Sequence, residues 1–139
     1  MADHPQKAAR ERPLSPHLTI WRWQVTMLAS IMHRATGMAL AVGAVVLAWW
    51  LVCVSNGPEG YDSFMSYAAT PLGLVVLFGL SWSLAFHFCQ GVRHLAWDLG
   101  YGFDKHTASR TGFLVFALSF LIAIGLFAMA WTGNGGYLR

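Results

Sequence analysis

The charged residues of this 139-residue chain leave three long gaps: none occurs from Ala35 to Pro58, from Ser63 to Val92 or from Thr111 to Leu138, stretches of 24, 30 and 28 residues. Each gap can hold the roughly 20 apolar residues that cross the hydrocarbon core of a bilayer. Backbone N–H and C=O groups in hydrocarbon must pair within the protein, and three spans are too few to close a β-barrel. The expected fold is an all-α membrane protein with three transmembrane helices at about residues 30–54, 68–95 and 111–132. Asn56-Gly57-Pro58, Pro71 and the Gly133 to Gly136 run punctuate the ends. This division gives an N-terminal arm and interfacial segment over 1–29, a membrane-anchor domain over 30–132 and a tail over 133–139. Composition agrees, since 56% hydrophobic residues, 11% charged residues and a mean hydropathy of +0.49 fall outside the usual soluble range.

Loop charges orient the spans. The arm and its entry to the first helix carry Lys7, Arg10, Arg12, Arg22 and Arg34 against Asp3 and Glu11, whereas the first loop carries only Glu59 and Asp62. Arg93, Lys105 and Arg110 surround the second loop. The positive-inside bias then makes the N-terminus and second loop cytoplasmic and the first loop and C-terminus external. Positives dispersed along one membrane face exclude a nucleic-acid partner; the lipid bilayer is the partner they fit. The arm reads as neither a secretory signal nor an Arg- and Ser-rich presequence, having acids and the prolines Pro13 and Pro16, which favours a bacterial inner membrane over a mitochondrial one. Cys53 and Cys89 lie at different depths and read as small apolar residues, not as a disulfide. Trp21, Trp23 and Trp97 form an expected inner aromatic belt, and Trp49, Trp50 and Trp131 an outer one. Ala35, Ala39 and Gly43 offer a small-residue face for close helix approach.

Ionisable residues at membrane depth are costly and mark ligands, pathways or cavities. His87 is the deepest, roughly 9 Å inside the cytoplasmic boundary when counted back from Arg93 along a helix. Gly91 follows one turn on and His94 two turns on, along the same stripe as His87. An axial histidine with a side-chain-free position beside it suits a haem packed flat against the helix. His33, Arg34, Arg93 and His94 are then the inner-boundary candidates for contact with acidic propionates. His87 and His94 lie about 10 Å apart along one face and cannot ligate one iron from opposite sides. His33 is expected to be too shallow to face His87, so a second ligand points to another polypeptide. Ser30, His33 and Arg34 occupy i, i+3 and i+4 of the first helix, a face whose hydroxyl and guanidinium can hold a carbonyl such as that of a quinone and stabilise negative charge on it.

SPHLTIW at 15–21, SIMHRATG at 30–37 and HFCQGVRHLAWDLGY at 87–101 together resemble the large membrane-anchor subunit, a cytochrome b, of succinate:quinone oxidoreductase, respiratory complex II. The resemblance runs from about Arg12 to the end of the third helix, and the S-x-x-H-R and H-x-x-x-G-x-R-H segments in that order are its specific part. It implies a haem b with His87 as one axial ligand and a small membrane-anchor subunit supplying the other. It also implies ubiquinone beside Ser30 and Arg34, propionate contacts near His33 and Arg34, and association with an iron-sulfur and a flavoprotein subunit. His94 and Asp98 match motif positions, with an i, i+4 pair and a proton relay through Asp98 as expectations. The chain itself has no nucleotide-binding glycine motif and no cluster-binding cysteine set, so succinate chemistry would belong to the partners. An anchor of a quinol:fumarate reductase and a non-haem membrane scaffold or small transporter subunit remain the alternatives.

Overall fold

A computed structural model describes residues 20–133, apart from the side chains at positions 131 and 133. The charged arm before residue 20, the tail after 133 and the side chain of Trp131 therefore lie outside the described residues. In chain order the helices are α1 Val25–Ser55, α2 Pro58–Ala68, α3 Pro71–Asp98 and α4 Lys105–Gly133. Of these, α1, α3 and α4 are long and apolar enough to cross a membrane. The chain is thus an all-α multi-pass membrane protein, as the charge gaps require.

Helices α1 and α4 are longer than the expected spans, and α3 keeps its expected length but is shifted toward the C-terminus. α1 starts at Val25 instead of near residue 30, α3 covers Pro71–Asp98 instead of 68–95, and α4 starts at Lys105 instead of near 111. Helical backbone does not stop where hydrocarbon stops. At the headgroup level long basic side chains reach water, so Arg34 and Arg110 are carried inside helices. Local caps set the true ends. The Thr70 hydroxyl accepts the Gly73 amide at 3.0 Å ahead of Pro71, and one Asp104 carboxylate oxygen accepts the His106 and Thr107 amides at 3.0 and 3.1 Å ahead of α4.

Helix α2 was not expected. The eleven residues Pro58–Ala68 follow Gly57, whose φ of 83° turns the chain sharply out of α1. Pro58 then supplies a pre-set φ in the first turn, and Glu59 complements the helix N-terminus. Phe64 and Ala68, one turn apart, are buried. The Phe64 ring meets Trp49 of α1 edge-on with centroids 4.9 Å apart, and Tyr67 lies 5.9 Å from the same indole. This short amphipathic helix therefore lies against the C-terminal end of α1.

Lipid tails are as apolar as leucine, so packing between spans rests on close approach and shape. α1 and α3 run antiparallel, with Gly43 against Leu80 near the middle of α1 and His33 against His87 nearer its N-terminal end. A Cβ built on Gly43 would lie 2.9 Å from Leu80 Cδ2, so this glycine of the anticipated small-residue face does mark a close approach. α3 and α4 are also antiparallel, joined by Phe86–Phe116 at 4.8 Å and by Phe78 edge-on to Phe120 and Phe127 at 5.9 and 5.2 Å. Both cysteines are free and half-buried.

Candidate functional site

Toward the N-terminal end of α1 and the C-terminal end of α3, three imidazoles form a column. His33 lies 4.1 Å from His87 between ring centroids, with planes 30° apart, and 5.1 Å from His94, stacked at 21°. The expectation that His33 is too shallow to face His87 is therefore wrong. Because α1 begins at Val25, His33 sits more than two turns inside it, and the antiparallel register brings it level with His87. The two rings are too close for an iron to be ligated from both sides between them. Gly37, one turn on from His33, lies beside the His87 ring. A Cβ there would be 3.3 Å from His87 Cε1 and 3.7 Å from Nδ1. Nothing in the sequence marked Gly37 beyond its place at the end of SIMHRATG.

Two atoms in this column are buried without a hydrogen-bond partner, His87 Nδ1 and His33 Nε2. Leaving a buried polar atom unpaired costs about 1–3 kcal/mol, so such groups are few in native proteins and each calls for a reason. Trp82 Nε1, one turn outward on α3, is a third such atom. Sequence reading passed over Trp82 because it belongs to neither aromatic belt. Gly91, half-buried one turn inward of His87, has nothing within 4 Å of where its Cβ would be. His94 turns Nδ1 back to the Gln90 carbonyl at 2.8 Å instead of forward to Asp98, which is exposed at the end of α3.

Arg93 is on a different face. It is only 6% exposed and is tied to α4: Nη2 donates to the Ala108 carbonyl at 2.7 Å and Nε to Thr111 Oγ1 at 3.1 Å. Nη1 donates to Gln90 Oε1 at 3.4 Å, and the guanidinium lies 4.1 Å from the Trp97 ring centroid. The sequence grouped Arg93 with His33, Arg34 and His94; the structure brings His33 and His94 together and directs Arg93 into the α3–α4 seam. Ser30 and Arg34 are both exposed on α1, one turn apart and flanking the half-buried His33. They present a hydroxyl and a guanidinium beside the imidazole column, where two donors can converge on one acceptor. Among the described residues no three His, Cys, Asp or Glu side chains form a group that could hold a metal ion. The stacked imidazoles show one another their faces, so any iron held here needs a ligand from elsewhere.

Residues 8–126 match the family model for the succinate dehydrogenase/fumarate reductase transmembrane subunit. The chain belongs to this family. It is 36% identical to the succinate dehydrogenase cytochrome b556 subunit of Rickettsia felis over 125 residues, which is 89% of this chain and 97% of that protein. Identity to the subunit of the same name in Paracoccus denitrificans is 37% over 113 residues, covering 81% of this chain and 87% of the relative. The mitochondrial succinate dehydrogenase cytochrome b560 subunit of Sus scrofa is 36% identical over 120 residues, covering 85% of this chain and 71% of its own length. In this transmembrane subunit the matched residues include all of α1 and α3, and with them the whole imidazole column.

Proposed function

We propose that this chain is the haem b-binding membrane anchor of a succinate:ubiquinone oxidoreductase, holding flavoprotein and iron-sulfur subunits at the inner face and forming part of the quinone site. The observation that carries this reading is His87, half-buried within a span, its Nδ1–Cε1 edge held against Gly37 of α1 and its face against His33, so that the ring is fixed with its other nitrogen directed away from Gly37. The residues fit a haem. His87 would hold the iron through the ring nitrogen that does not meet Gly37, and a histidine of a small anchor subunit would complete its ligation. Open space at Gly91 accepts a flat group, and His33, Arg34 and His94 are the donors within reach of acidic propionates. When bound, such a haem supplies one-electron redox capacity beside the quinone pocket. The cytochrome b names of the relatives support the same cofactor.

For the quinone, Ser30 and Arg34 do the holding. Reduction adds two electrons and two protons to the headgroup, and negative charge gathers on a carbonyl oxygen as electrons arrive. The Ser30 hydroxyl and Arg34 guanidinium donate to that oxygen, and donors already in place stabilise it without reorganising. As a guanidinium, Arg34 serves to stabilise charge and not to deliver protons. Protons come from inner-side water, with Asp98, exposed at that edge, as a relay. The basic arm and second loop, against an α2 segment carrying Glu59 and Asp62, support a cytoplasmic N-terminus and a periplasmic C-terminus in a bacterial inner membrane.

The test is a visible spectrum of the purified native complex, before and after reduction. A b-type haem spectrum together with succinate-dependent ubiquinone reduction is the expected result; a complex with flavin and clusters but no haem bands overturns the cofactor assignment. A quinol:fumarate reductase anchor is the second reading, because the family's own description spans both enzymes. Identifying the quinone that copurifies separates the two.

A further inference from the structure

We infer that Gly37 is a positioning residue for His87: the missing Cβ on α1 sets where the imidazole of α3 can lie, and so sets how that ring meets an iron. The inference rests on His87 as the haem ligand and adds a residue to it. Two neighbours confine the ring. Its Cε1–Nδ1 edge lies against Gly37, where a Cβ would come within 3.3 Å of Cε1. His33 covers its face at a centroid distance of 4.1 Å. A contact at 3.3 Å is tight enough that one side must yield by a few tenths of an ångström, and dense packing makes such shifts costly. The ring cannot yield freely toward His33, which is itself held between His87 and His94. A methyl at position 37 therefore tilts or displaces the imidazole. An iron held by His87 would respond, because ligand orientation and the surroundings of the ring's far nitrogen tune a metal's electronics.

Gly43 provides the internal control. It lies on the same helix and the same α1–α3 seam, and its added Cβ would be closer still to its neighbour, 2.9 Å from Leu80 Cδ2. That neighbour is the far end of a flexible apolar side chain, well removed from His87. Alanine is a better helix former than glycine, so neither substitution harms α1 itself.

The experiment compares Gly37→Ala and Gly43→Ala in the full complex by haem content, the reduced α band and the haem midpoint potential. Gly37→Ala is expected to shift the band and the potential, or to lose haem from an otherwise assembled complex, while Gly43→Ala matches the parent in all three. A Gly37→Ala spectrum and potential identical to the parent would overturn the proposal. So would equal effects from both variants, or a Gly37→Ala complex that fails to assemble, since the glycine then acts on helix packing. Failure of the underlying ligand reading has its own signature: haem that survives His87→Ala.

Discussion

The two sides of α3 treat their polar residues in opposite ways. Facing α4, Arg93 and Gln90 are nearly fully buried, at 6% and 1% exposure, and the guanidinium donates to three oxygens and packs on an indole. Facing α1, His87 and His33 each keep a buried nitrogen with no partner. A buried charge whose nitrogens all find acceptors within the chain ties its two helices together and leaves no nitrogen free for a ligand. The imidazoles of His87 and His33 have no such partners within the chain, and that is the face to which the proposed haem is assigned. The difference separates two kinds of membrane-embedded polar residue that their sequence spacing alone makes look alike.

Substitutions can break this comparison, beginning with the largest effect. Arg34→Ala should lower ubiquinone reductase activity about 100-fold, the scale of losing one preorganised donor to a developing oxyanion. Succinate oxidation with an artificial acceptor should be unchanged, and equal loss in both assays would move Arg34 from the quinone site to assembly. Arg93→Leu should act the other way round. It leaves the Ala108 carbonyl and Gln90 short of a donor, costing about 1–3 kcal/mol, and should appear as a lower thermal midpoint of the detergent-solubilised complex. Haem bands in the surviving complex should be those of the parent. The smallest effect sharpens the comparison from outside both seams: Thr70→Ala removes the cap of α3 and should cost about 1 kcal/mol, with quinone reduction and spectrum untouched.

The three spans were legible because exclusion of charge from hydrocarbon is a strong rule that acts over some twenty residues at a time. Helix α2 was not, since eleven residues with a glycine and two acids carry no such signal. Only Pro58 after Gly57 and the Phe64/Ala68 spacing hinted at it. Within the site, His87, Gly91 and His94 could be placed on one stripe from their spacing on a single helix. The meeting of His33 with His87 depended on the true start of α1 and on the register between two helices separated by α2, which sequence spacing does not encode. Arg93 was misgrouped for a related reason. Its sequence neighbour His94 points to α1, but one residue of helix turns a side chain by about 100°, enough to send Arg93 to α4. Gly37 was quoted within SIMHRATG, yet its role appears only when His87 is seen resting on it.

The most direct measurement is haem per assembled complex, by reduced-minus-oxidised difference spectra, for His87→Ala and Arg93→Leu side by side. Loss of the haem from the His87→Ala complex, with parental haem content in whatever Arg93→Leu complex survives, is the predicted result. Haem retained with an unchanged spectrum in His87→Ala, or lost equally from both, would contradict the assignment of the α1-facing side as the ligand site.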